Sequence, residues 1–278
     1  DIKLVCHGFN DLSLNNIKVF LHLPSPNMFH IIHFSLSVAI ERTSGTESVD
    51  HFGITGKWST NPVPLVHFSS FVICIIIYTM STKVYFLKDN TENWGPVQDY
   101  LSGFVSAERR EKINRYKFES DKMLSLYAAV ITRLAIVRET GIKNEDLVFE
   151  CPYMKKPTLS SPDTSLDFNF SHTKGAVLLG LSTDSTIGVD VERIRKAPFN
   201  TMKMVCHPAE ADYINSASDK EKAFFEIWTK KEAYTKCMGT GLSVDLKSIN
   251  TLAAPICENI ETFIQDGYVC SVCTLKQL

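Results

Sequence analysis

Between Met123 and Val137, apolar side chains recur at positions 123, 124, 127, 130, 131, 134 and 137. That i, i+3, i+4, i+7 spacing places them on one face of an α-helix, and such a face has to be covered by other elements. Ser120-Asp121 offers a start for this helix, and Gly141 a residue that can leave it in the left-handed conformation. A shorter helix, capped by Ser106, runs toward Tyr116. Further on, Ser218-Asp-Lys-Glu221 has the form of a capping box and opens a second long helix through Phe224, Phe225, Trp228 and Tyr234 to Gly239. Between and after these helices the pattern changes to short strand-like runs: Lys83–Leu87, Leu147–Cys151, Leu166–Phe170, Ala176–Ser182, Ile187–Glu192, a run near Ile249, Glu261–Gln265 and Tyr268–Leu275. Turns fall at Thr173-Lys-Gly175 and Asp266-Gly267, and residues 152–163 form a proline-bearing loop. One long helix with several short strands, found twice, predicts an α+β protein of two similar halves, although no residue-level repeat is visible.

The chain's 278 residues suffice for about two domains. Its 44% apolar and 22% charged residues argue against wholesale disorder, collagen-like repeats and a polytopic membrane protein. A net charge of −2 and a pI near 6.5 provide no global positive field for nucleic acid, so any anion site must be local. The cysteines, at 6, 74, 151, 206, 237, 257, 270 and 273, are scattered, and the expectation is reduced thiols in a cytoplasmic protein. Cys270-x-x-Cys273 has zinc-like spacing, but no second pair is placed to complete four ligands, and on a strand it reads as core and edge.

Residues 1–79 differ from the rest. They hold only nine charged residues and six of the eight histidines, and end in the apolar run Phe68–Tyr78. That run is too short for a bilayer, which needs about 20 residues, and reads by itself as a buried strand. Met80 then opens a stretch that looks like a natural N-terminus, Met-Ser-Thr-Lys-Val-Tyr-Phe-Leu. The expectation is that residues 1–79 are a non-native or dispensable N-terminal extension, an upstream extension or a mistranslated leader, with 80–184 and 185–278 as the two working halves.

Gly188-Val-Asp-Val-Glu192 is the first candidate for chemistry. On a strand Asp190 and Glu192 share one face, about 6–7 Å apart at Cα, while Val189 and Val191 can enter the core. Paired hard oxygens suit Mg²⁺, which takes one or two carboxylates plus substrate phosphates; alone, the pair also fits a solvated strand end. In Trp228-Thr-Lys-Lys-Glu-Ala-Tyr-Thr-Lys236, Glu232 and Lys236 are an i, i+4 pair. They form either an exposed salt bridge or a metal ligand (or base) beside a phosphate contact. Asn169-Phe-Ser-His172 ends a strand at a turn, and Arg109-Arg-Glu-Lys112 and Lys155-Lys156-Pro157 are either solvated basic faces or phosphate clamps.

In this order (basic cluster, long helix, Lys-Pro, Phe-x-Phe-Ser-His, Gly-Val-Asp-Val-Glu, then Trp-x-x-Lys-Glu-Ala-x-x-Lys before Gly-x-Gly-Leu-Ser) the chain resembles the Sfp-type 4′-phosphopantetheinyl transferases from about Met80 to Leu278. The resemblance implies two α+β halves about a pseudo-two-fold, each a long helix on a small, mainly antiparallel sheet, with coenzyme A in the cleft between them. It implies Mg²⁺, with Mn²⁺ as a substitute, on Asp190, Glu192 and Glu232, and Lys236 on the pyrophosphate. Arg109, Lys112 and His172 would hold the 3′-phosphate, Ser171 would belong to the coenzyme A site, and Lys156-Pro157 would flank the nucleotide. The implied reaction moves the phosphopantetheine arm to a serine of an apo acyl or peptidyl carrier protein and releases 3′,5′-ADP. Glu232 would accept the serine proton directly or through water, and Lys236 would stabilise the leaving phosphate. The implied enzyme is a monomer with no nucleic-acid or membrane partner.

Two positions depart from the family pattern. Lys155 stands where glycine often precedes the Lys-Pro, and Leu124 stands at an arginine position, leaving one phosphate contact to Lys122 or Lys155 or to none. A Mg²⁺-dependent nuclease would also use Asp-x-Glu, but calls for a broad basic surface. A non-catalytic coenzyme A or carrier-binding module would be favoured by loss of one of the three carboxylates, and all three are present.

Overall fold

The computed structural model describes residues 20–21, 30–36, 71–77, 81–91, 93–151, 156–160, 165–241 and 244–276. It is an α+β fold, with helices packed on two antiparallel sheets. The larger sheet runs β1 (Phe20–Leu21), β2 (His30–Leu36), β3 (Phe71–Ile77), β4 (Thr82–Lys88), β8 (Ala176–Ser182) and β7 (Asp167–Thr173) in that order. The smaller runs β10 (Ile260–Gln265), β11 (Tyr268–Lys276), β9 (Ser185–Arg193). A two-residue ribbon pairs β5 (Phe149–Glu150) with β6 (Thr158–Leu159).

Strand alternation builds the layers. On β4 and β8, Tyr85, Leu87, Val177, Leu179 and Leu181 pack under the long helix α3 (Glu119–Thr140), against Leu124, Tyr127, Ala128 and Ile131. Their neighbours Val84, Phe86, Ala176 and Leu178 face the other way and meet Ile187, Val189, Val191, Cys270 and Val272 of the smaller sheet. The far side of the smaller sheet is covered by α6 (Lys220–Cys237). Two short helices, α1 (Pro96–Ser102) and α2 (Ala107–Asn114), flank α3; α4 (Met202–Val205) and α5 (Pro208–Ser216) precede α6.

Most elements lie where the pattern puts them, but α3 begins at Glu119 with Phe118 as its N-cap, ahead of the expected Ser120-Asp121 start, and other positions differ too. Leu134, expected on the buried face of α3, is 51% exposed, because the side cluster of Val105, Ile113, Leu126 and Val130 ends one turn before it. The cap of α6 is Asp219, which accepts from Lys222 N at 2.9 Å, rather than Ser218; a carboxylate at the N-cap also meets the positive end of the helix. Ile249 follows a 3-10 turn at Leu246–Ser248 and belongs to no strand; its carbonyl is taken by Lys231. The run Leu147–Cys151 is strand only at Phe149–Glu150. Helix α5 has no counterpart in the sequence reading, yet Pro208 at its first position and Glu210 two residues on announced it: Glu210 accepts from His207 N at 2.8 Å.

The segment Phe71–Ile77 is an element of the sheet, hydrogen-bonded along β4 from Val72↔Lys88 to Ile77↔Lys83. Most of residues 1–70 lie outside the described residues, as does Lys155. Cys151, Cys206, Cys237, Cys257, Cys270 and Cys273 are free thiols, and Cys270 and Cys273 are buried on β11. No helix among the described residues is long and apolar enough to cross a membrane.

Candidate active site

Strand β9 and helix α6 bring the carboxylates together. The odd residues of β9 are core, so Asp190 and Glu192 project to the side that α6 covers. Gly188 lets the helix in: a Cβ there would lie 2.1 Å from Ala233 O and 2.3 Å from Cys237 N. With α6 this close, Glu232 and Lys236, one turn apart, reach the same place.

Lys236 Nζ donates to Asp190 Oδ1 at 2.6 Å, to Ser171 Oγ at 3.1 Å and to Val189 O at 3.3 Å, and stands 3.9 Å from Glu232 Oε2. Ser171 Oγ donates to Asp190 Oδ1 at 2.7 Å. Glu192 is held by Thr173 Oγ1 at 3.2 Å and Arg195 Nη1 at 2.7 Å. Asp190 Oδ2 and Glu232 Oε1 are buried with no hydrogen-bond partner among the described residues. Burial pushes the Glu232 carboxyl above the usual range; Lys236 opposes this, and Asp190 and Glu192 add to it.

No three His, Cys, Asp or Glu side chains among the described residues are grouped tightly enough to hold a metal ion in this arrangement, since Lys236 lies between Asp190 and Glu232. The donor chemistry nonetheless fits a hard divalent cation: two buried carboxylate oxygens have no hydrogen-bond partner among the described residues, and Glu192 is near enough to act on Glu232.

The predicted 3′-phosphate residues divide. His172 stands at the surface, yet burial of its ring, Lys236 and Arg109 all depress its pKa, with Asp121 acting the other way. Arg109 donates through Nη2 to Ser125 O and Oγ at 3.0 and 3.1 Å, while its Nε is buried and unpartnered among the described residues. The charges of Lys236 and Arg109 thus both act on His172. Lys112 is exposed in the last turn of α2. Lys156 is engaged inside the protein by Asp167 and by Ile187 O at 2.7 Å, with Pro157 half-buried beside it. Leu124 is core, 6% exposed.

Sequence reasoning passed over two features that support the site. Lys231, the motif lysine before Glu232, is fully buried, 2.7 Å from Glu210 Oε2, and donates to Leu246 O and Ile249 O. Glu210 also accepts from Thr251 N and Oγ1. The other is Asn169, whose Oδ1 accepts from Val189 N at 2.9 Å. The full burial of Lys231 rests on partners distant in sequence and left no local signal; Asn169 was visible only as part of the Phe-x-Phe-Ser-His run.

Residues 186–277 match the family model of the 4′-phosphopantetheinyl transferase superfamily, and residues 92–183 match that of the 4′-phosphopantetheinyl transferase N-terminal region. The chain is 28% identical over 207 residues to the 4′-phosphopantetheinyl transferase gsp of Aneurinibacillus migulanus, covering 69% of this chain and 86% of that protein. It is 30% identical over 155 residues to the transferase ffp of Bacillus subtilis, covering 55% and 68%. Against the transferase Sfp of Bacillus subtilis (strain 168) it is 29% identical over 150 residues, covering 53% and 66%. The chain belongs to the Sfp-type 4′-phosphopantetheinyl transferases and is an enzyme that transfers phosphopantetheine.

Proposed function

We propose that the enzyme transfers the 4′-phosphopantetheine arm of coenzyme A to a serine of an apo acyl or peptidyl carrier protein, depends on Mg²⁺, and releases 3′,5′-ADP. The observation that carries this is the meeting of β9 and α6, where Asp190 and Glu232 each keep a buried, unpartnered oxygen on either side of the Lys236 ammonium. Asp190, Glu192 and Glu232 would hold the cation, which when bound withdraws charge from the pyrophosphate.

The chain's own residues do the rest. Glu232, whose raised pKa makes it a better proton acceptor than an exposed carboxylate, takes the proton from the carrier serine as its oxygen bonds to the β-phosphorus. The bond from that phosphorus to the bridging oxygen breaks, and 3′,5′-ADP leaves with the electron pair. Lys236 donates to the leaving phosphate, exchanging its contact with Asp190 for one that strengthens as charge develops. Arg109, through its unpartnered Nε, and His172 hold the 3′-phosphate, with Lys112 at the rim. The nucleotide lies beside Lys156-Pro157, in a cleft between two halves related by a pseudo-two-fold. The carrier, a small acidic helical bundle, docks beside that cleft through a short helix. The free thiols suit a reducing compartment, and the proposal includes a cytoplasmic monomer.

Incubation with coenzyme A, Mg²⁺ and a panel of apo carriers, read by intact mass, tests the reading. Wild-type protein adds one phosphopantetheine to a carrier, and EDTA, Asp190→Ala or Glu192→Ala abolishes the gain with the fold intact by circular dichroism. Near-normal transfer by either variant at low Mg²⁺ would remove that residue from the metal site.

A further inference from the structure

Besides packing face to face, the two sheets come together along β7 and β9, where no main-chain pairing joins them among the described residues. β7 ends the larger sheet and β9 ends the smaller one. Among the described residues no strand takes the backbone N–H groups on the outer edge of β9, a costly arrangement when buried. Side chains of β7 take their place. Asp167 Oδ2 accepts from Ile187 N at 2.7 Å, and Asn169 Oδ1 accepts from Val189 N at 2.9 Å. The next two residues on the same face, Ser171 and Thr173, reach the side chains of Asp190 and Glu192 instead. The β7 face therefore reads β9 residue by residue: its first half clamps the backbone, its second half orients the carboxylates. Lys156 closes the far end by bridging Asp167 and Ile187 O. Asn169 is 7% exposed, and Val189, whose N–H it takes, directly precedes Asp190.

We infer that Asn169, assisted by Asp167, is a positioning residue: by taking the edge N–H groups of β9 it fixes the height and register at which Asp190 and Glu192 enter the site. This rests on the metal site proposed above. It does not make Asn169 a ligand, since its oxygen is committed to Val189. An amide is suited to the task, because it accepts the N–H without adding a fourth negative charge beside Asp190, Glu192 and Glu232. A one-residue shift of β9 would turn Asp190 and Glu192 toward the core and the valines toward α6, so the clamp has a large consequence for a small contact.

The test compares wild type, Asn169→Leu, Asn169→Ala and Asn169→Asp by amide hydrogen exchange at Val189, by Mn²⁺ binding in the presence of coenzyme A followed by electron paramagnetic resonance, and by steady-state kinetics. The wild-type Val189 amide is slow to exchange. Asn169→Leu weakens Mn²⁺ binding about tenfold or more, the usual effect of removing an outer partner of a metal ligand, and lowers kcat while KM for coenzyme A stays close to wild type. Asn169→Asp, which keeps an acceptor oxygen, restores protection at Val189. The inference is overturned if folded Asn169→Leu binds Mn²⁺ and turns over as wild type does, or if the wild-type Val189 amide exchanges like an exposed strand edge. Asn169→Ala answers the same question should leucine prevent folding, and if neither folds, the wild-type exchange rate together with Asn169→Asp decides. Failure of wild type itself to bind Mn²⁺ or to modify any carrier would instead count against the proposed metal site, and the exchange result would stand apart from it.

Discussion

At Glu232, burial and the neighbouring Asp190 and Glu192 work against ionisation, and Lys236 works for it. The net shift is upward, so the folded protein binds this proton more tightly than the unfolded chain, where such a carboxyl titrates near 4.5. Stability therefore falls as pH rises from about 4.5 through the folded value, and the penalty is fully present above it. Glu232→Gln should raise Tm at pH 7.5 and leave it unchanged near pH 4, while transfer drops by about a hundredfold or more. An unchanged or lower Tm at pH 7.5 would mean that Glu232 carries no such penalty. His172 has the opposite sign: its depressed pKa keeps it neutral near pH 7, and a phosphate dianion beside it would favour the charged ring. Coenzyme A should accordingly bind more tightly as pH falls toward 6, with dephospho-coenzyme A showing less of the trend. His172→Ala, and more weakly the exposed Lys112→Ala, should raise KM for coenzyme A more than for the dephospho form, by at most about 1.5–3 kcal/mol. Equal changes for both substrates would show that these side chains do not read the 3′-phosphate.

Among the elements, the pairing of β9 with α6 decides whether a site exists. At Gly188 the helix backbone comes so close that any side chain there would meet Ala233 O, Cys237 N and Cys237 Cα rather than flexible atoms. Gly188→Ala must push α6 outward and carry Glu232 and Lys236 with it. The expected cost is about 3 kcal/mol or more in urea melts, with transfer lost in whatever fraction stays folded. Wild-type stability and rate in this variant would contradict the close packing. The same pair shows how far the sequence could be read. Alternation placed Asp190 and Glu192 opposite the core valines, and helical spacing put Glu232 and Lys236 on one face, because both are local periodicities. The interleaving of Lys236 with Asp190, the burial of Lys231 on Glu210 and the clamp of Asn169 on Val189 all join residues far apart in sequence, so no local pattern encodes them. Leu134 shows the same limit in the core: its spacing matched the buried face of α3, but it lies on the flank with Leu126 and Val130, one turn past the end of their side cluster.

For the whole molecule, the open question is what residues 1–79 contribute. The family models begin at residue 92 and end at 277, so they account for both long helices and for both strands of the seam, β7 and β9. Against dispensability stands β3, which pairs with β4 over six residue pairs. Among the described residues, however, other elements cover both faces of β4. Tyr85 and Leu87 of β4 are buried under α3, Val84 and Phe86 are buried against the smaller sheet, and the opposite edge of β4 is held by β8. Deleting residues 1–79 removes β1 and β2 together with β3, but leaves these contacts in place and returns the backbone groups of β4 that face β3 to water, at a net cost near the low end of about 0.5–1.5 kcal/mol per hydrogen bond. A chain beginning at Met80 should therefore transfer phosphopantetheine at the full-length rate and melt cooperatively within about 10 °C of it. At this size about 1 kcal/mol moves Tm by roughly 2–4 °C, so a fall of about 10 °C or more on truncation would mean that β3 buries side chains the domain needs, and residues 1–79 would then belong to the fold.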